Sequence, residues 1–331
     1  MSVEKIISDW KKKQFRPIYW LEGDEEYFID KAVDYAEHHI LSESEASFNL
    51  SIFYGKDANW ADVLNACRRY PMFAERQVVL LKEAQQMKDV EKLEPYMENP
   101  LVSTILVVSY KDKKLDARKK FSKLVKENGV VISTKKLYDR DIPAWTQDMV
   151  QSKGLTITPK GLALLSDHIG NDLSRIENEI EKLSVNLGKR TQINEDDIER
   201  YIGVSKEFNV FELQSALAAK DLSKAIRIVQ YFESNPKANP IQLILPSLYS
   251  FFSKVFMIQA ISGDDRTIAG HIGVNPFFVK DYIQAYRLYG SSGVENILML
   301  LHHYNLKSIG VGSGSASDGS LMKEMVIKMM S

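Results

Sequence analysis

Cysteine is nearly missing from this 331-residue chain, in which Cys67 stands alone. A lone cysteine excludes an intrachain disulfide and any zinc site built from several thiolates. It suits a reducing, cytoplasmic setting. An excess of one charge is missing too. The formal net charge is -1, so no global basic field holds nucleic acid, and any DNA contact has to be a local patch. The six histidines, His38, His39, His168, His271, His302 and His303, never fall into H-E-x-x-H or similar ligand spacing. Neighbouring histidines on a helix point about 100° apart, so they read as ordinary surface or core residues and no metal is expected. No G-x-S-x-G nucleophile motif occurs. Met1 to Lys13 lacks the apolar core of a leader peptide. The most apolar window, Ile241 to Ile261, is interrupted by Gln242, Pro246, Lys254 and Gln259. It reads as buried helix, and no membrane contact is expected.

What is present is a globular composition, 44% hydrophobic and 26% charged, long enough for two or three domains. Val3, Ile6, Ile7 and Trp10 have helical spacing. Pro17 to Leu21 reads as a strand, with Asp24 capping a helix that runs to about His39. Phe48, Leu50, Ile52 and Tyr54 alternate as a second strand. A helix through Trp60, Val63, Leu64 and Cys67 follows, then a strand over Val78 to Leu81 and a short helix near Val90 to Met97. Thr104 to Tyr110 is a strand apolar enough to be covered on both faces. A helix from about Asp116 to Glu127 leads to the strand Val130 to Ser133. Strands alternating with helices predict a parallel sheet between helical layers, ending near Asp139.

Beyond Arg140 the strand signals stop. Four helices are expected up to Ser205, opened by Asp141-Ile142-Pro143, Thr158-Pro159, Asn171 or Asp172, and Asn194. From Lys206 onward the chain is helical and more apolar, punctuated by Pro236, Pro240 and Pro246. A loop is expected at Gly263 to Asp265, a mobile Gly/Ser-rich turn at Gly310 to Ser320, and a Met-rich helix at Leu321 to Met330.

An α/β domain followed by helices invites a search for a phosphate loop, G-x-x-x-x-G-K-[ST], after the first strand. The chain has Gly23-Asp24-Glu25-Glu26-Tyr27 there, carboxylates where a phosphate needs donors. Gly55-Lys56 and Gly188-Lys189 lack the rest of the motif, and Gly310 to Gly314 follows no strand. ATP hydrolysis and bound cofactors are not expected.

Two features remain. Pro71 ends the Trp60 helix, and Met72 and Phe73 then sit on the turn before the Val78 strand. Loops lie at the surface, so this pair either folds back on the core or is offered to a partner. The stretch Lys111 to Lys126 holds eight Lys or Arg against two acids. It is a phosphate-facing patch centred on Lys113, Lys114, Arg118 and Lys119, or the solvated face of a helix whose Leu115, Phe121, Leu124 and Val125 point inward.

Several stretches, in order, resemble the delta subunit family of bacterial DNA polymerase III, a clamp-loader component. They are Tyr19-Trp20-Leu21-Glu22-Gly23-Asp24-Glu25, Pro71-Met72-Phe73-Ala74-Glu75-Arg76-Gln77, Lys114-Leu115-Asp116-Ala117-Arg118-Lys119, Gly170-Asn171-Asp172-Leu173 with Glu181-Lys182-Leu183, Phe208-Asn209-Val210-Phe211-Glu212-Leu213, and Ile272-Gly273-Val274-Asn275-Pro276-Phe277-Phe278. Asn305 to Gly310 departs from the family pattern. The resemblance implies an AAA+-like α/β domain without a functional phosphate loop (1–139), then two all-α domains, a lid (140–205) and a collar (206–331). It implies a subunit without catalysis of its own, although the assembly it joins is classed as a DNA-directed DNA polymerase, a nucleotidyltransferase. Its partners would be the sliding clamp (beta), the ATPase subunits and delta-prime in a heteropentamer, and primed DNA within the complex. Met72 and Phe73 would carry the clamp contact, supported by Pro71 and Arg76. Other readings are a degenerate AAA+ ATPase, which requires ATP binding by the isolated chain, and a free-standing DNA-binding protein, which requires salt-sensitive binding without other subunits.

Overall fold

The computed structural model describes residues 2–312 and 316–331. The chain divides into two compact units, Met1–Tyr138 and Asp139–Ser331.

The first unit is built on a five-stranded parallel sheet. In chain order it contains α1 (Val3–Lys11), β1 (Ile18–Gly23), α2 (Glu26–His39), α3 (Glu43–Asn49), β2 (Leu50–Tyr54), α4 (Trp60–Arg68), β3 (Gln77–Lys82), α5 (Glu94–Glu98), β4 (Thr104–Lys111), α6 (Lys120–Asn128) and β5 (Val130–Thr134). The strand order is β2-β3-β4-β1-β5. Side chains alternate across a strand, and the central strands are apolar on both faces. Tyr19, Leu21, Val78, Leu80, Ile105 and Val107 face α1 and α2, joining Ile6, Trp10, Ile29 and Val33. Ile18, Trp20, Val79, Leu81, Leu106 and Val108 face the other layer, with Val63, Cys67, Tyr96, Phe121 and Val125. Sheet and helices thus follow the alternation expected from sequence.

Four details of this unit differ from the sequence reading. Phe48 is not in a strand: it belongs to α3, which starts with a capping box between Ser42 and Glu45. The cap of α2 is Glu25, whose carboxylate accepts the Tyr27 N–H, and not Asp24. The basic helix starts at Lys120 and not near Asp116. The Asp116 carboxylate instead takes the N–H and guanidinium of Arg118, closing a turn ahead of the helix. The Trp60 helix ends at Arg68, so Tyr70 is already outside it.

The second unit is helical. Its first part holds α7 (Ile142–Ser152), β6 (Thr156–Ile157), α8 (Pro159–Ile169), α9 (Leu173–Asn186), β7 (Gln192–Ile193) and α10 (Glu195–Ile202). The expectation that strands stop beyond Arg140 is not met, because β6 and β7 form a two-residue parallel ladder. Thr158, Asp172 and Asn194 cap α8, α9 and α10. Then come α11 (Val210–Ala218), α12 (Leu222–Ser234), α13 (Ile241–Met257), α14 (Asp265–Ile272), α15 (Val279–Ser308) and α16 (Asp318–Met330). The core common to α11, α12, α13, α15 and α16 includes Leu217, Phe232, Leu248, Phe252, Ile297, Tyr304 and Met325. Residues 241–260 are long and apolar enough to cross a membrane by length and composition alone, yet seven side chains of α13 are buried in that core. Pro246 does not interrupt the chain; it lies within α13 on the exposed side. Asp264 caps α14, so Asp265 is helical rather than in a loop. The Met-rich helix begins at Asp318, and residues 313–315 of the expected Gly/Ser turn lie outside the described residues.

Candidate partner-binding turn

The segment between α4 and β3 leaves the sheet at the amino-terminal end of β3. Arg69 leaves the helix in extended conformation, and Pro71 has no N–H with which to continue it. Met72 is 54% exposed and Phe73 95% exposed. The pair is therefore not folded back on the core. Phe73 also has a left-handed backbone, φ 55°, a region that side chains other than glycine rarely adopt.

The turn is nevertheless held from several sides. Gln77, buried at the start of β3, donates to Arg69 O at 2.5 Å, to Ala66 O at 3.1 Å and to Thr104 Oγ1 at 2.8 Å. Thr104 in turn donates to Cys67 O at 2.9 Å. This buried network satisfies the carbonyls at the end of α4. Arg76 donates to Val102 O at 3.1 Å and lies over the Phe15 ring at 5.3 Å. Asn49, from the end of α3, bonds the Met72 backbone on both sides: its Oδ1 accepts Met72 N–H at 2.6 Å and its Nδ2 donates to Met72 O at 2.9 Å. Met72 and Phe73 thus stand exposed on the turn, while Arg76 is turned to Val102 and Phe15. Gln77 and Asn49 were not singled out from sequence; a polar residue opening an apolar strand was the available signal for Gln77.

At the opposite end of the sheet, where parallel α/β folds hold ligands, the turn after β1 is closed off by β5. The turn after β1 packs so tightly on β5 that a Cβ at Gly23 would lie 2.2 Å from Thr134 O. The N–H groups of Asp24 and Glu25 are directed at Thr134 O and Thr134 Oγ1. Glu22, buried at the end of β1, accepts from Leu115 N–H at 2.8 Å and Ser133 Oγ at 2.9 Å. Donors that would cradle a phosphate are spent within the chain. Cys67 is buried, which pushes its thiol up to about 12 and removes it as a nucleophile at neutral pH.

The basic stretch divides into paired and unpaired cations. Arg118 bonds Asp116, Lys119 bonds Glu91 at 2.5 Å, and Lys120 bonds Glu94 at 2.8 Å. Lys111 lies between Glu26 and Asp30. Lys113 and Lys114 are exposed on the loop before α6, with no ion-pair partner among the described residues. Lys113 and Lys119 also line an open cleft of about 520 Å³ with Lys88, Lys92 and Glu91.

Residues 19–135 match the family model described as DNA polymerase III, delta subunit. The chain is similar to DNA polymerase III subunit delta of Bacillus subtilis, 24% identical over 311 residues and 90% of each chain. It is also similar to the probable DNA polymerase III subunit delta of Aquifex aeolicus, 23% identical over 305 residues, 86% of this chain and 83% of the other. Among solved structures it resembles the Bacillus subtilis DNA clamp loader delta protein, with a TM-score of 0.54 at 22% identity over 99% of both chains, a likeness of fold.

Proposed function

We propose that this chain, whose residues 19–135 match the DNA polymerase III delta-subunit family model, is a clamp-loader subunit of that family that binds the sliding clamp through Met72 and Phe73 and holds its ring open. The observation that carries this reading is the exposure of two large apolar side chains on a turn whose backbone is fixed. Burying such a side chain contributes roughly 1.5–3 kcal/mol, so the pair supplies on the order of 3–6 kcal/mol, the scale of an interface hot spot. That suffices to hold a clamp protomer. It favours an open ring only in so far as the open interface is bound more tightly than the closed one. The subunit therefore acts by selecting an open state, with α4 and β3 as the rigid support behind the turn.

In this reading the first unit is an AAA+-like domain (1–139) that has lost its nucleotide site. The spent N–H groups around Gly23 support that loss. The helices of 140–205 form a lid and those of 206–331 a collar, through which the chain joins ATPase subunits and delta-prime in a heteropentamer in the cytoplasm. The chain takes no part in polymerisation chemistry. Lys113 and Lys114 are the cations assigned to phosphates of primed DNA, since Arg118 and Lys119 already face carboxylates. Replacing both by alanine in the assembled loader should reduce the slope of log K against log salt by about 2; an unchanged slope removes them from the DNA contact. The clamp assignment is tested by Met72→Ala/Phe73→Ala: a folded double variant that no longer retains purified clamp in a pull-down is the expected result, and undiminished retention contradicts it.

A further inference from the structure

Asn49 is 3% exposed at the last position of α3. Its amide reaches across 23 residues of sequence to bond both the N–H and the C=O of Met72, and its second Nδ2 proton goes to Glu45 O at 3.0 Å. Bonding both polar groups of one residue is what a neighbouring strand does. It fixes the Met72 backbone and leaves the Met72 side chain free. It also ties α3 to the turn. Phe48, the residue before Asn49, is 67% exposed, and Tyr70, just ahead of the turn, is 78% exposed. Four large apolar side chains, Phe48, Tyr70, Met72 and Phe73, therefore stand exposed on the two segments that one buried amide joins. None of them belongs to either cluster covering the sheet. Single exposed apolar residues are ordinary; several gathered around a fixed point mark an interaction surface.

Resting on the clamp-binding reading above, we propose that the clamp-docking surface is composite: Phe48 on α3 is a further anchor beside Met72 and Phe73, and Asn49 is the positioning residue that holds α3 and the turn together as one surface. The occupant is the same clamp protomer, because the surface is continuous with the turn that contacts it. An aromatic ring displayed beside an apolar tip widens the area buried at the centre of the contact. A backbone held in place before binding avoids an ordering cost at the moment of binding.

The test uses the full-length chain and purified clamp, with affinity measured by calorimetry or surface binding and folding followed by thermal unfolding. Phe48→Ala should weaken binding by about 5- to 50-fold, the range of an anchor residue, with an unchanged thermal midpoint. Asn49→Ala should weaken binding as well, and its effect should shrink in a Phe73→Ala background, because Asn49 acts only through the turn. Asn49→Ala lowers the thermal midpoint in either case, since it leaves buried partners unpaired; a purely structural Asn49 would instead give binding losses that multiply with those of Phe73→Ala. Asn49→Asp keeps the size and one acceptor but sets a carboxylate against the Met72 and Glu45 carbonyls; it supplies the same readout if the alanine variant folds poorly. Wild-type affinity in Phe48→Ala, with Met72→Ala/Phe73→Ala still defective, overturns the composite surface and confines the contact to the turn. Wild-type affinity in Met72→Ala/Phe73→Ala contradicts the clamp-binding reading itself, so the two failures are distinguishable.

Discussion

Phe73 occupies backbone space that disfavours every side chain, φ 55°, at a cost of roughly 1–2 kcal/mol. Its ring, almost fully exposed, recovers none of that by packing within the chain. Phe73→Gly removes the strain but adds unfolded-state entropy of roughly 0.5–1 kcal/mol. Urea denaturation should therefore place this variant within about 1 kcal/mol of the wild type, while clamp affinity falls. A loss above about 2 kcal/mol would show that the ring supports the fold. Met72 and Phe73 were legible in sequence because bulky apolar residues rarely follow a helix-ending proline without cause. Asn49 was not legible. Its partner lies far along the chain, and an asparagine at the end of a helix is ordinarily a solvated cap or turn residue.

At the scale of elements, the sheet could be read from alternation because both faces of β1, β3 and β4 are buried. α3 carried its own sign, Ser42 three residues before Glu45. The alternation of Phe48, Leu50, Ile52 and Tyr54 competed with it, and Phe48 lies in the last turn of the helix, just before it gives way to β2. The start of α6 was misread because hydrophobic spacing says nothing of where a helix begins; Asp116 closes a turn on Arg118 instead. Local polar bonding also sets a pH dependence in α10. Burial raises the Asp197 carboxyl, but the two N–H bonds from Arg190 and the one from Asn194 outweigh it and hold the group below its usual 3.8. A depressed carboxyl stabilises the fold above its unfolded pKa and loses that contribution as pH falls through the folded value. Acidification below about pH 4 should therefore destabilise the second unit in the wild type. Asp197→Asn should be less stable at pH 7 and should lose less on acidification; equal pH profiles by circular dichroism would contradict this.

At the scale of the molecule, the chain is two units that meet in sequence at Tyr138 and Asp139. The segment ahead of that boundary carries exposed Lys135 and Lys136 without regular structure. Limited trypsin digestion should cut there first, leaving a resistant fragment that ends at one of these lysines; early cuts inside β3 or β4 would contradict the division. The sequence reading put a boundary near Asp139 because the strand pattern stops there. It could not show that the turn after β1 is closed, since that depends on β5 returning beside β1 so that Thr134 meets the Gly23 turn. With the β1 turn closed and the Met72–Phe73 turn exposed at the other end of the sheet, the account predicts a protein that works by contact. The most direct measurement is the affinity of full-length Met72→Ala/Phe73→Ala for the purified sliding clamp beside that of the wild type. A loss of at least about 100-fold, the equivalent of roughly 3 kcal/mol, with an unchanged unfolding midpoint is the predicted result; wild-type affinity in the folded variant would contradict it.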